Sequence, residues 1–315
     1  MDPPQRINRW TDTTLVIVEE ALQRKHDVAV ATPADLWLDG GDLGVAYHHA
    51  QLPLPGAPET PGLRVGKGSA ALVHERFDLV LMRKDPPFDL DYYFATLLLE
   101  RLRGRVPVVN DPRGLREANE KLYALRFPSL IPPTLVARGQ AALTEFMRQQ
   151  GGEMIVKPLD GCGGAGVFHL REGDRNLHAI LETATCFGTR LVMAQRYLAD
   201  ARNGDKRILL LDGELLGAVL RVPRDDETRG NLHVGGRPER TTLTDGERAI
   251  VSTLAPELRK DGLRFVGLDV IGERLTEVNV TSPTGAQEVN RVEGRTGDAR
   301  LEKQVVDWLE AMARP

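Results

Sequence analysis

Between Phe265 and Thr284 the chain reads FVGLDVIGERLTEVNVTSPT, an apolar run followed by an alternating one. Phe265, Val266, Leu268, Val270 and Ile271 make the first run, and Leu275-Thr276-Glu277-Val278-Asn279-Val280 alternates apolar with polar. The two patterns predict a hairpin whose second strand is half buried, turning at Gly272-Glu273-Arg274, where Gly272 supplies the unusual dihedrals. Toward the N-terminus, Leu15, Val18, Ala21 and Leu22 recur at helical spacing behind a cap at Asp12 or Thr13. Asp27–Ala31 then reads as a buried strand, and residues 51–69, rich in Pro and Gly, as a loop. Phe77–Met82 and Val106–Val109 read as buried strands either side of a helix over Asp91–Arg103. Helices alternating with apolar strands predict a parallel α/β sheet, whose ligands gather at the carboxyl ends of the strands.

Further on, Asn119–Tyr123 reads as the polar start of a helix, and Ile131-Pro132-Pro133-Thr134 as a joint. The change in texture predicts a domain boundary near residues 110–120. Met154–Phe168 reads as a strand carrying Lys157, a loop with four glycines, and a second strand. Leu191–Gln195 is an apolar strand running into Arg196-Tyr197-Leu198. Asp205-Lys206-Arg207 precedes the strand Ile208–Leu211, Asp212-Gly213 signals a hairpin turn, and Val219–Pro223 is the returning strand. Residues 224–240 are polar and aperiodic, and a loop of that length reads as a lid or a solvated segment. Helices are predicted over 245–260 and 298–313.

A chain of 315 residues exceeds what one core usually supports, so two or three subdomains are expected. Hydrophobic residues at 41% and charged ones at 27% are the composition of a globular protein. A net charge of -4 argues against a general nucleic-acid binder. No apolar run approaches the roughly 20 residues needed to span a bilayer, and the start MDPPQRINRW lacks a signal-peptide core. Two cysteines, Cys162 and Cys186, are too few for a disulfide framework or a metal cluster, which points to a reducing cytoplasm. The histidines show no zinc spacing, and no Gly-x-Ser-x-Gly elbow or catalytic-cysteine context is present. Chemistry must then run on phosphate, magnesium and charge.

Candidate groups follow. Glu277 and Asn279 are two apart on a strand and share a face, with Asp269 near them across the hairpin. Two carboxylates and an amide make a hard oxygen site suited to Mg²⁺; the alternative is a strand with solvated acids. Gly161, Gly163, Gly164 and Gly166 let backbone N–H groups approach phosphate, with Lys157 neutralising charge. The order is not that of a P-loop, because the lysine precedes the glycines; a mobile turn is the alternative. The 191–198 stretch is either a purine-binding edge or plain core strand. The MRKDPPFD stretch at 82–89 is either a ligand-facing loop or a solvated turn. Arg224, Arg229 and Arg237 suit either a flap over an anion or a solvated loop.

Taken together, MRKDPPFD, NEKL at 119–122, KPLDGCGGAGVF at 157–168, AQRYL at 194–198, GDKR at 204–207, ETRGN at 227–231, GGR at 235–237 and VGLDVIG…LTEVNVTSPTG at 266–285 resemble the bacterial glutathione synthetases, which are ATP-grasp ligases. The resemblance runs from Met1 to about Glu288. It implies an α/β fold of three parts: an N-terminal parallel α/β domain over 1–118, a central lid domain over 119–197 and a C-terminal catalytic domain over 198–315. It also implies roles. Lys121 and Lys157 contact ATP phosphates under the 161–166 loop, Gln195, Tyr197 and Leu198 hold adenine, and Asp205 lies by the ribose. Asp269, Glu277 and Asn279 bind two Mg²⁺, with Mn²⁺ able to replace it. Arg207 and Arg221 stabilise transferred phosphate and substrate carboxylate, Arg229 reaches in from the 224–240 loop, and Ser282, Pro283 and Thr284 position the dipeptide or glycine. The implied reaction joins γ-glutamylcysteine and glycine with ATP through an acyl phosphate, in a homo-oligomer, a tetramer in this family, with no nucleic-acid or membrane partner.

Two departures carry expectations of their own. The family has a β-strand ahead of its Met-Asp-Pro segment, where this chain begins, so unpaired backbone in the parallel sheet is expected. Ala286-Gln287 stands where close relatives carry Ile-Arg, so acceptor specificity is expected to differ if that arginine holds a substrate carboxylate. Cys162 reads as an incidental small residue. Beside glutathione synthesis stand a ligase for another acceptor and a nucleotide-binding protein without ligase activity.

Overall fold

The computed structural model describes residues 1–52, 62–224 and 235–313. Helix α1 (Thr13–Gln23) is capped by Asp12, whose side chain accepts from the Leu15 N–H. It leads to β1 (Ala29–Val30), narrower than the expected Asp27–Ala31 strand. Then come β2 (Leu36–Asp39), β3 (Asp42–Gln51), β4 (Arg64–Leu72) and the short α2 (Val73–Arg76). These four strands pair antiparallel, with β3 central between β1, β2 and β4.

Two sequence expectations fail here. Residues 64–69 are strand rather than loop, because β4 pairs with β3 along its length despite Gly66 and Gly68; residues 53–61 of that loop lie outside the described residues. The N-terminal region is also not one parallel sheet. Among the described residues, parallel pairing is confined to β5 (Val80–Leu81) and β6 (Val108–Val109), which flank α3 (Leu90–Leu99). A Gly40-Gly41 turn, with both residues at positive φ, folds β2 back on β3 and sets the antiparallel hairpin.

After α4 (Pro112–Glu117), residues 119–123 form a turn and one 3₁₀ segment, not the start of a helix. Asn119 explains this: its Oδ1 accepts from the N–H groups of Lys121 and Leu122, closing a local turn. A four-stranded antiparallel sheet follows, ordered β7 (Thr134–Ala137), β10 (Val192–Arg196), β8 (Glu153–Pro158), β9 (Phe168–Arg171). Helices α5 (Gln140–Gln149) and α6 (Leu177–Ala184) cover one face. Their Leu143, Met147, Leu177 and Leu181 pack on Met154, Val156, Val192 and Ala194. By alternation, Ile155, Lys157 and Gln195 point from the opposite face.

The third sheet is antiparallel, ordered β13 (Arg237–Arg240), β12 (Glu214–Val222), β11 (Asp205–Leu211), β14 (Phe265–Ile271), β15 (Arg274–Asn279). Strand at 237–240 corrects the loop expected over 224–240; residues 225–234, and Arg229 with them, lie outside the described residues. The β14–β15 hairpin turns at Gly272, at positive φ as its sequence predicts, and Glu273 takes positive φ as well.

Both faces of this sheet are buried, which is why β11 and β14 read as continuous apolar runs. Ile208, Leu210, Ala218, Val266, Leu268 and Val278 face α7 (Asp245–Lys260), with its Ile250, Leu254 and Leu258. Leu209, Val219 and Phe265 face α8 (Ala286–Glu293) and α9 (Leu301–Ala313). Each such fully buried aliphatic side chain contributes about 1.5–3 kcal/mol. The period of two places Arg207, Arg221, Asp269 and Asp205 on the α8 side as well, at the end the helices do not cover.

Asn110 ties the N-terminal region to this sheet. Its side chain donates to Phe265 O (2.9 Å) and Val280 O (2.7 Å) and accepts from the N–H groups of Arg264 and Phe265. Every polar atom of this buried amide is satisfied, so the joint is specific as well as tight.

Candidate active site

The charged ends of the two larger sheets face one cleft. Register puts Asp269 opposite Glu277 and Gly267 opposite Asn279, so the three oxygen-bearing side chains share a face. The cross-strand partner of Asp269 on β11 is Arg207, and Asp205 pairs with Arg221 between β11 and β12. Arg207 holds Asp269 in a two-pronged contact, Nε to Oδ1 at 2.6 Å and Nη2 to Oδ2 at 3.1 Å. Arg221 adds Nη2 at 3.0 Å from Asp269 Oδ1 and places Nε 2.5 Å from Asp205 Oδ1. Burial pushes the Asp269 carboxyl up, but the two guanidiniums outweigh it and hold it well below the usual carboxylate range. Burial raises Asp205, with Arg221 opposing.

Glu277 has different company. Lys157 Nζ lies 3.3 Å from its Oε1 and Lys121 Nζ 3.8 Å from the same oxygen. Lys121 also donates to Gly161 O at 2.6 Å, tying it to the glycine-rich loop. Both lysines are buried, and burial lowers Lys157 although Glu277 pulls it back up. Asn279 Nδ2 donates to Gly267 O at 3.3 Å, which orients the amide.

The loop between β8 and β9 closes over these lysines. Gly163, Gly164 and Gly166 take positive φ, and a Cβ on Gly161 would sit 2.6 Å from the Pro158 ring, so side chains are excluded there. Gly161, Gly163 and Gly164 line the cleft, and Gly166 is not among its lining residues. Gln195, Tyr197 and Leu198 lie on the same wall; Gln195 Nε2 donates to Thr134 Oγ1 at 3.0 Å, and Tyr197 stacks on His169 with centroids 3.9 Å apart. Ser282, Pro283 and Thr284 close the far end, where Thr284 O accepts from Arg207 Nη1 (3.0 Å) and Pro283 O from Arg83 Nη2 (2.8 Å). The described residues to which the resemblance gives roles, Gly166 apart, thus line one cleft, whereas Arg224 and Arg237, candidates for a flap, are not among its lining residues.

The 82–89 stretch borders this cleft through Asp85 and Pro86; Met82 and Arg83 are buried, while Asp85, Pro87 and Asp89 are exposed, so it is a ligand-facing loop and a solvated turn at once. Ala286 is buried, and Gln287 Nε2 donates to Arg9 O (3.1 Å) and Asp12 O (2.7 Å), so that side chain braces the N-terminal segment.

Three contributions escaped the sequence reading. Ile155 and Ile271 supply apolar cleft walls; Ile155 was discoverable, since it shares Lys157's face two residues earlier. Glu120 accepts from the N–H groups of Val280 and Thr281 and from Thr281 Oγ1 (2.8 Å), clamping the end of the hairpin, and burial raises its carboxyl. Glu288 lines the cleft from α8. Nothing local in the sequence marks either glutamate, because both act across elements.

The donor set fits a nucleotide and a hard divalent ion. Two buried ammoniums converge on one carboxylate beneath a loop of approachable backbone, the chemistry of a polyphosphate site. Asp269, Glu277 and Asn279 offer oxygens alone, which suits Mg²⁺ over softer metals.

Two family models match the chain: the prokaryotic glutathione synthetase N-terminal domain over residues 1–116 and the prokaryotic glutathione synthetase ATP-grasp domain over 120–294. A glutathione synthetase of Thermosynechococcus vestitus is 51% identical over 315 residues, covering 98% of each chain. One of Gloeobacter violaceus is 44% identical over 327 residues, covering 100% of this chain and 96% of the relative. Among solved structures, the ATP-grasp ligase PsnB in complex with a precursor variant, Mg and ADP aligns with a TM-score of 0.63 at 18% identity, covering 95% of this chain and 94% of that one. A RimK-domain ATP-grasp protein of Sphaerobacter thermophilus aligns with a TM-score of 0.59 at 19% identity, covering 93% of each. At such identities these two establish likeness of fold.

Proposed function

The chain belongs to the prokaryotic glutathione synthetase family, and from that premise we propose how its cleft makes glutathione from γ-glutamylcysteine, glycine and ATP. It is an ATP-dependent carboxylate–amine ligase of ATP-grasp fold. The observation that carries the mechanism is the register pair Asp269–Glu277, with guanidiniums gathered at one carboxylate and ammoniums at the other.

Lys121 and Lys157 hold the nucleotide's phosphates under the 161–166 loop, and the wall formed by Gln195, Tyr197, Leu198, Ile155 and Ile271 takes the adenine. Asp205 lies toward the ribose. Asp269, Glu277 and Asn279 would hold Mg²⁺, two ions on our reading and replaceable by Mn²⁺, which would supply positive charge to the transferring phosphoryl group. The cysteinyl carboxylate attacks the γ-phosphorus, ADP leaves, and the carboxylate becomes an acyl phosphate. Glycine's amine attacks that carbonyl, and phosphate departs. Both steps gather negative charge on oxygen, and Arg207 and Arg221 meet it with donors already oriented by Asp269 and Asp205. Ser282, Pro283 and Thr284 border the dipeptide or glycine. Arg229, which lies outside the described residues, is assigned the role of shielding the acyl phosphate from water.

The spans 1–118, 119–197 and 198–315 serve as N-terminal, lid and catalytic domains of a cytoplasmic homotetramer. A different acceptor loses its motivation here, since Gln287 is engaged with Arg9 and Asp12 and leaves the cleft wall to other residues.

ADP release from ATP and γ-glutamylcysteine tests the reading, with glycine present, omitted, or replaced by alanine or serine. Release that depends on glycine and yields glutathione is expected. Release driven by another acceptor, or none at all, overturns it.

A further inference from the structure

Glu288 sits in the first turn of α8, behind the N-cap Gly285. It is 1% exposed and lines the same cleft as Arg207, Arg221 and Thr284. Its Oε1 lies 3.3 Å from Arg291 Nη2, whereas its Oε2 is buried without a hydrogen-bond partner. A buried acceptor left unpaired costs about 1–3 kcal/mol, and more when charged. The other carboxylates on the wall are engaged or exposed: Asp269 and Asp205 are held by arginines, Glu277 by lysines and Glu120 by Thr281, and Asp85 is open to solvent.

An unpartnered carboxylate oxygen on a wall shared with the reacting groups calls for a cationic donor from the ligand. The amine acceptor arrives as an ammonium and must lose a proton before it can attack. We propose that Glu288 binds the ammonium of the acceptor amino acid through Oε2 and accepts its proton. This rests on the ligase reading above. One acceptor N–H bond breaks and Oε2–H forms; the freed nitrogen lone pair bonds to the acyl carbon; the bond from that carbon to the phosphate oxygen breaks, and phosphate leaves with the electron pair and takes the second proton the nitrogen must shed, so the amide keeps one N–H. Burial raises the Glu288 carboxyl, opposed by its own backbone N–H and by Arg291, Arg207 and Arg221, so it is a stronger base than an ordinary carboxylate.

The test compares wild type with Glu288→Gln, which keeps the shape, and Glu288→Asp, which keeps the charge. Each is assayed with glycine and, separately, with hydroxylamine, which is uncharged at neutral pH and reports acyl phosphate as the hydroxamate. In Glu288→Gln, kcat/KM for glycine is expected to fall at least a hundredfold while hydroxamate formation and the KM values for ATP and γ-glutamylcysteine stay within about threefold. Glu288→Asp should recover part of the glycine activity, and it serves alone if the glutamine variant does not fold. Three results overturn the proposal: unchanged glycine kinetics, an equal fall with both amines, or a rise confined to the KM of γ-glutamylcysteine, which would place the dipeptide's own ammonium at Glu288. Wild type forming neither hydroxamate nor glutathione would instead count against the ligase reading.

Discussion

Asp269 and Glu277 face each other across one hairpin, yet their surroundings differ in kind. Asp269 is held by two guanidiniums in a fixed fork geometry, with contacts of 2.6, 3.0 and 3.1 Å. Glu277 is met by two ammoniums at 3.3 and 3.8 Å, and its side chain is 23% exposed against 7% for Asp269. Arginine's planar fork spends little freedom per bond and holds its partner in one orientation, whereas lysine is a mobile point charge. The comparison teaches a division of labour. In the function proposed above, the Asp269 side would be a preformed frame for charge developing on the substrate, and the Glu277 side an exchangeable pair. Its lysines would turn to incoming phosphates and free the carboxylate for a metal ion.

The largest effect expected from breaking this asymmetry is at Asp269. Asp269→Asn leaves Arg207 and Arg221 short of their buried counter-charge, and breaking such a pair typically costs about 3–5 kcal/mol. Thermal unfolding should show a drop of several degrees, and turnover should fall by about a thousandfold or more; a variant as stable as wild type would show that the frame is not structural. Glu277→Gln should separate function from fold. Turnover is expected to fall by at least about a hundredfold, the scale of losing one electrostatic contact to the reacting oxygens. The melting temperature should change little, and near-normal kcat would remove Glu277 from the metal site. The smallest effect is a pH slope. Because its folded pKa is depressed, Asp269 contributes stability that is present above the ordinary carboxyl range and lost as pH falls toward the folded value. The stability gap between wild type and Asp269→Asn should therefore narrow from about pH 5 to about pH 3, as read by denaturant titration. A gap that stays constant over that range would mean Asp269 is not held ionised by its arginines.

Much of this was legible in the sequence where one pattern had one cause. The 265–279 hairpin is written in a change of period at Gly272, and the oxygen triad follows from alternation along two strands. Lys157 and its glycines could be read the same way. The N-terminal antiparallel sheet was not legible, because Gly66, Gly68 and Gly44 break the alternation that would have revealed β3 and β4. Gly44 is needed there: a Cβ would fall 2.1 Å from the Trp37 ring, which packs across it. Glu120 and Glu288 were missed for another reason. Their partners, Thr281 in one case and a cleft wall in the other, lie far along the chain, and a lone glutamate on a polar segment looks like any solvated one.

The most direct test is the Mg²⁺ dependence of binding for a non-hydrolysable ATP analogue, by calorimetry, in wild type and Glu277→Gln. The exchangeable-pair account predicts that Mg²⁺ tightens binding at least tenfold in wild type and barely at all in the variant, whose metal-free affinity stays near that of wild type. Equal Mg²⁺ enhancement in both proteins would contradict it.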